Sequence, residues 1–222
     1  MLKPVLFNTA MVQAILDGRK TVTRRGIKRD FHKVYKAACV NGKWNEDFGQ
    51  NIPDSLFEWY AKEIARRSYD VGDILWVRET WRIQSAHRFD ANVKIEFKAG
   101  GPMQTIQFAN SGSQSINRDD YDAFVNKWWN DDGKWHPSIH MPREAARLFL
   151  KVTDVWVERL RDIMKDPPGP DNQIIKEGQK YGCDFIATWN NNAIKKKVFE
   201  LYGWDANPWV FVYEFERCEN AV

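Results

Sequence analysis

Apolar residues recur at helical spacing over positions 8–17, where Met11/Ile15 and Val12/Leu16 form i,i+4 pairs. Asn8 or Thr9 can cap this helix, and Gly18 stands where a left-handed residue closes one. Thr21-Val22-Thr23-Arg24 is a β-branched run and predicts extended chain. A polar stretch follows to about residue 53, and Ser55-Leu56-Phe57-Glu58 then reads as a capping box. The helix it opens runs to about Arg67, with Leu56, Trp59/Tyr60 and Ile64 on one face.

Gly72-Asp73 marks a turn into a strand over 74–79, and residues 93–97 alternate as a second strand. Residues 99–118 are rich in Gly, Ser, Gln and Asn and read as a loop; Asp119 or Asp120 then caps a helix carrying Tyr121, Phe124/Val125 and Trp128. A β-rich run over 148–157 leads to a helix start near Leu160. Asp166-Pro167-Pro168-Gly169-Pro170 breaks regular structure. Helical pieces follow near 171–181 and 193–202, the second carrying Ile194, Val198 and Leu201 and ending at Gly203. The last strand, 209–215, is apolar on both faces at first and so belongs in the middle of a sheet. The pattern predicts one α+β domain over 1–222, with about six strands and two helical insertions.

Composition narrows the class. Hydrophobic residues make up 43% and charged residues 28%, an ordinary globular balance. No apolar run approaches the roughly 18 residues that span a bilayer, and the apolar stretch over 1–7 is too short for a signal peptide. Cys39, Cys183 and Cys218 are odd in number and widely spaced, which points to a reducing compartment, the cytoplasm by default. Eleven tryptophans are unusual, and so is the placement of charge. Residues 1–29 hold seven bases (Lys3, Arg19, Lys20, Arg24, Arg25, Lys28, Arg29) against Asp17, while the rest of the chain is slightly acidic. A basic segment of this kind suits an anionic ligand such as a phosphate backbone, or is simply a solvated loop.

Several motifs are absent. Gly18-Arg19-Lys20-Thr21 lacks the upstream glycine of a phosphate loop, and no G-x-S-x-G elbow occurs. His136 and His140 are four apart, but Pro137 interrupts the helix that would align them, so no metal site is expected. The segment 18–25 carries chemistry of another kind: a neutral lysine can act as base to a hydroxyl, here Thr23. Arg19, Arg24 and Arg25 would depress the Lys20 pKa and a neighbouring carboxylate would raise it. Positions i and i+3 of a regular strand face opposite ways, so the two side chains meet only if the chain is still turning at Lys20, which Gly18 permits. The competing reading is a basic helix-to-strand junction open to water.

Leu16-Asp17-Gly18-Arg19-Lys20-Thr21-Val22-Thr23-Arg24-Arg25 resembles the opening motif of ASCH domains, relatives of the PUA fold. Three further strings are similar to the larger, phage- and prophage-associated ASCH proteins: Gly72-Asp73-Ile74-Leu75-Trp76-Val77-Arg78-Glu79-Thr80-Trp81; Pro137-Ser138-Ile139-His140-Met141-Pro142-Arg143 running into Val152-Thr153-Asp154-Val155; and Asn207-Pro208-Trp209-Val210-Phe211-Val212-Tyr213-Glu214-Phe215. Together they reach from residue 5 to 217, with insertions at about 30–68 and 100–132.

The resemblance implies a PUA-like mixed β-barrel flanked by helices. Many ASCH proteins are proposed to bind RNA; small bacterial members remove the acyl group from N4-acetylcytidine with a lysine, a threonine and a glutamate. Carried over by motif, Lys20 is the general base, Thr23 the nucleophile and Glu177, in Ile175-Lys176-Glu177-Gly178, the proton donor to the leaving amine. Glu158 and Glu79 are the fallback carboxylates. Glu177 would need a pKa raised by burial in order to donate, and the oxyanion donor would be backbone N–H groups or Arg25. No metal or organic cofactor is implied. This subgroup is much shorter than the present chain, so the insertions bear on whether its cleft is open.

Arg19, Arg24, Arg25, Arg78, Glu79 and Trp81 form the expected substrate-binding set. Trp76 and Trp209 alternate with apolar residues and read as core; Trp81, past the strand end beside Arg82, is a candidate for stacking on a base. Arg78 and Glu79 face opposite ways, one into a cleft or both into ion pairs. Arg143 to Arg147 reads as a solvated helix start. Two functions stay open. One is hydrolysis of an N4-acylated cytosine or cytidine. The other is binding of a modified nucleoside, RNA or DNA without turnover.

Overall fold

The computed structural model describes residues 1–28, 30–43, 53–109, 116–129, 132–166, 169 and 172–219. Its strands are β1 (Leu2–Leu6), β2 (Val22–Gly26), β3 (Ile74–Arg78), β4 (Trp81–His87), β5 (Asn92–Phe97), β6 (Gln104–Gln107), β7 (Phe149–Arg159) and β8 (Trp209–Cys218). The α-helices are α1 (Thr9–Leu16), α2 (Phe31–Val40), α3 (Asp54–Trp59), α4 (Arg118–Trp128), α5 (Gln173–Lys176), α6 (Gly182–Lys195) and α7 (Phe199–Tyr202). The α+β class stands, with sheets ordered β1-β3-β7-β8-β2 and β4-β5-β6. Eight strands are present where about six were expected, and no closed barrel forms among the described residues.

The chain divides into two compact units: Met1–Arg19, Gly72–Lys151 and Glu216–Val222 in the first, Lys20–Val71 and Val152–Phe215 in the second. In the first unit the side chain of Asn8 caps α1 by accepting from Met11 N at 2.8 Å. Gly18 at φ +73° ends it, a conformation that costs glycine little. β1 runs parallel to β3, and β3 pairs antiparallel with the first residues of β7. The core joins Ile83, Val93, Ile95 and Phe97 of the small sheet to Tyr121 of α4 and to Met141.

Three expectations for this unit change. Trp81 begins a strand of its own, in register with Phe97. Residues 104–107, inside the stretch read as a loop, form β6, because backbone pairing to β5 and burial of Ile106 outweigh a polar composition. The cap of α4 is Asn117, which accepts from Asp120 N at 3.1 Å.

In the second unit β8 lies between β7 and β2, and Trp209 to Tyr213 are all buried, as the apolar run predicted for a central strand. One face of β2 and β8 presents Val22, Val210 and Val212 to Leu160, Ile163, Ile174 and Phe185. The other presents Phe211 and Tyr213 to Val34, Leu56, Phe57 and Ala61.

The polar stretch after β2 contains α2, capped by Asp30 and held by buried Val34 and Ala38. No capping box opens α3: it starts after Pro53 with no side-chain cap, and Ser55 lies inside its first turn. It continues as one π turn, Tyr60–Ile64, and stops at extended Ala65, short of Arg67. Residues expected as one helix over 193–202 divide between α6 and α7, separated by Lys197 at φ +56°. Pro167, Pro168 and Pro170 of the predicted break, with Arg29 and Trp44, lie outside the described residues.

Candidate functional site

The second unit gathers Lys20, Arg24, Glu158, Gln173 and Glu177 at its edge strand. β2 ends the five-strand order, so one side of its backbone has no strand neighbour. The segment carrying α5 covers that side, with Thr21 N donating to Lys176 O at 2.9 Å. Lys20 Nζ donates to Val22 O at 2.6 Å, to Glu177 O at 2.9 Å and to Glu177 Oε2 at 2.8 Å. Three acceptors match the three N–H bonds of an ammonium. The Lys20 side chain is fully buried and that of Glu177 is 4% exposed. Burial pulls the Lys20 pKa below its ordinary value; Glu177 opposes this, and Arg25 and Arg24 add to the lowering.

Arg24 completes the network. Its Nη1 donates to Glu177 Oε1 at 3.1 Å, its Nε to Glu158 Oε1 at 2.8 Å and its Nη2 to Gln173 Oε1 at 3.0 Å. Glu158 Oε2 accepts from Trp156 Nε1 at 2.7 Å. Two cations and two carboxylates thus neutralise one another out of bulk water. That is the condition under which buried charge is tolerated.

Thr23 is 1% exposed and stands in register with Tyr213. Alternation along β2 turns it to the face of Phe211 and Tyr213, away from the face of Val22 and Arg24. Among the described residues no hydrogen bond joins the Thr23 hydroxyl to Lys20 or Glu177. Lys20 Nζ is held by the Val22 carbonyl and by Glu177, which also accepts from Arg24, on the face of β2 opposite Thr23. Tyr213 Oη accepts from Ser68 N at 3.0 Å, and burial pushes the phenol pKa up. Arg25, half-buried, shares the Thr23 side of the strand by the same alternation.

The remaining expected residues belong to the first unit. Arg19 is half exposed and meets Asp17 at 2.8 Å. Arg78 lies 5.5 Å from the Trp76 ring, with a buried Nε that has no hydrogen-bond partner among the described residues. Glu79 accepts two bonds from Arg147, each at 2.9 Å, and Arg147 stacks 4.0 Å from the Phe97 ring centroid. Burial raises the Glu79 pKa, and Arg147 opposes the rise. Of the two readings offered for Glu79, the ion pair is the one formed. Arg147 is therefore buried, not part of a solvated helix start; only a short 3-10 turn, Arg143–Ala145, precedes it.

Trp81 needs a correction. It is fully buried, with ring centroids of His136, Trp128 and Phe124 at 4.8, 5.4 and 6.4 Å, so no face of it is open to a base. Trp76 and Trp209 pack in cores as expected. The sequence reading missed Gln173 and Trp156. The i,i+2 spacing of Trp156 and Glu158 on a strand was the available signal for the latter.

Among the described residues no three His, Cys, Asp or Glu side chains are grouped to hold a metal ion, and no helix is long and apolar enough to cross a membrane. No protein-family model, curated protein or solved structure matches the chain.

Proposed function

We propose that the chain is an ASCH-type, PUA-like amidohydrolase that removes the acyl group from N4-acylated cytosine or cytidine. One observation carries the reading. The lysine and glutamate assigned by motif, 157 positions apart, share a buried hydrogen bond of 2.8 Å. Sequestration lowers the Lys20 pKa, which is what a lysine base requires.

The proposed cycle requires the start of β2 to turn so that Thr23 Oγ, which faces Phe211 and Tyr213 in the resting structure, reaches Lys20. Lys20, released from the Val22 carbonyl and deprotonated, then takes the Thr23 proton as Oγ attacks the amide carbonyl. The C–N bond to the cytosine ring then breaks, and the proton passes from Lys20 to the departing nitrogen. Water, deprotonated by the same amine, attacks the acyl-threonine ester; the acyl C–O bond to Thr23 Oγ breaks, the ammonium returns the proton to Oγ, and the acid is freed. Glu177 steers the ammonium, and Arg24 and Gln173 hold the Lys20–Glu177 pair in place. Casting Glu177 as a positioning carboxylate departs from its expected role as donor, because both its oxygens already accept from Lys20 and Arg24.

The second reading, binding of a modified base without turnover, draws support from the separation of Thr23 from Lys20 and Glu177 across β2. Incubating purified protein with N4-acetylcytidine and following the ultraviolet spectrum separates the two. Hydrolysis converts the spectrum to that of cytidine, and Thr23→Ala abolishes the conversion. An unchanged spectrum with the wild-type protein removes the hydrolytic reading.

A further inference from the structure

Glu158 of β7 is the second carboxylate of the buried network, and each of its oxygens has a donor. Oε1 accepts from Arg24 Nε at 2.8 Å and Oε2 from Trp156 Nε1 at 2.7 Å. Trp156 and Glu158 are two apart on one strand, so their side chains leave the same face. The half-buried indole packs against the core that holds Val22, Val210 and Val212. A donor fixed in a core holds the carboxylate in one orientation, with Oε1 toward Arg24. In the sheet order β8 separates β7 from β2, so this contact crosses a whole strand and needs the length of an arginine.

Arg24 divides its N–H groups among Glu158, Glu177 and Gln173, and Glu177 divides its oxygens between Arg24 and Lys20. The two carboxylates therefore compete for one guanidinium, and the share that Glu158 takes leaves Glu177 freer to hold Lys20. Without the Glu158 charge, Lys20, Arg24 and Glu177 together would be positive in place of neutral. Arg24 would then lean on Glu177 alone, and the ammonium would lose part of its counter-charge. The other charged side chains of the elements packed here are Arg25 of β2 and Lys176 of α5, the latter 3.7 Å from Glu214 of β8. Among the described residues Glu158 bonds to Arg24 and Trp156, and neither of its oxygens bonds to Lys20 or Thr23. That sets aside its fallback role as proton donor. We infer that Glu158, oriented by Trp156, is a positioning residue that acts through Arg24 and Glu177 to set how firmly Lys20 holds its proton. The catalytic consequence rests on the proposed function, in which that proton must leave before Lys20 can take one from Thr23.

The test is the titration of Lys20 in the full chain, followed by carbon-13 NMR of its Cε and assigned by through-bond correlation to its backbone. Glu158→Gln keeps the shape and an acceptor oxygen and removes the charge, and should lower the proton affinity of Lys20 about tenfold. Trp156→Phe keeps a packed ring and removes the N–H, and should lower it by less, about threefold. Trp189→Phe is the control: this indole packs in the same core but donates to the Tyr202 carbonyl, not to a carboxylate, and its loss should leave the titration in place. A midpoint that stays or rises in Glu158→Gln, or one that moves as far in Trp189→Phe, would overturn the inference. Where Glu158→Gln does not fold, Trp156→Phe decides, and a wild-type midpoint in that variant overturns the inference. In the acyl-release assay the ascending limb should shift to lower pH by the same factor. The titration is read without substrate, so an unmoved midpoint leaves hydrolysis standing, and a failed hydrolysis assay leaves the role of Glu158 standing.

Discussion

Lys20 Nζ lies 2.8 Å from Glu177 Oε2, and the two side chains are 0% and 4% exposed. This contact ties the start of β2 to the residue that ends α5. The network around it is neutral only as a whole, because Glu177 also takes a bond from Arg24.

Removing one partner should therefore be costly. Lys20→Met leaves a carboxylate facing one cation fewer, and Glu177→Gln leaves two buried cations sharing Glu158; each should lower stability by about 3–5 kcal/mol in urea unfolding. The double substitution should cost less than the sum of the two. Additive losses would mean that the residues do not act as a pair.

The pH dependence follows from the direction of the Lys20 shift. The folded value lies below the ordinary 10.5, so between the two the unfolded chain binds more protons and stability rises with pH. That contribution is complete above 10.5 and is lost as pH falls through the folded value. Wild-type stability minus that of Lys20→Met should climb with pH over this window. Subtracting the variant cancels the opposing effect of Tyr213, whose raised pKa acts in both proteins. A flat difference would show that burial does not displace this amine.

Acyl release, if Lys20 is the base, should rise with pH up to its depressed pKa and then level off. Thr23→Ser should retain measurable turnover and Thr23→Ala none, with circular dichroism unchanged in both. A rate profile with no ascending limb would exclude Lys20 as the proton acceptor.

Arg147→Ala should destabilise the first unit by about 3–5 kcal/mol, since Glu79 is 1% exposed and loses both its bonds. The Glu79 pKa is already raised, and losing Arg147 raises it further. A carboxyl of this kind contributes most below its unfolded value and loses that contribution as pH rises through the folded one. The deficit of the variant should accordingly shrink in acid. A deficit independent of pH would assign the loss to packing on Phe97 alone.

Two glycines should respond differently to alanine. A Cβ at Gly203 would stand 2.7 Å from the Phe199 carbonyl oxygen, a rigid backbone group, and should cost about 1–3 kcal/mol. A Cβ at Gly182 would stand 2.8 Å from Met164 Cε, the end of a flexible side chain that can turn aside. Thermal melts of the two variants make the comparison, and equal losses would refute it.

Local signals were legible where one rule dominated. The cap and glycine stop of α1, the turn into β3, the alternation of β5 and the unbroken apolar run of β8 each formed the predicted element. Predictions failed where long-range pairing overrode local chemistry. β6 forms in a polar segment because a partner strand satisfies its backbone, and Trp81 is buried because a new strand, β4, begins at it and pairs with β5, where the sequence suggested chain beyond a strand end. Spacing alone placed Lys20 and Thr23 near one another along the chain, and the motif resemblance chose Glu177 from the acids that follow. Only the tertiary structure decided that Glu177 meets Lys20 and Arg24, that Gln173 and Glu158 join them, and that Thr23 turns to the other side of β2. The physical reason is that hydrophobic period and capping act over a few residues and are written in local order. Buried charge must instead find its counter-charge in space, and that partner is set by which segment packs against the open edge of a strand.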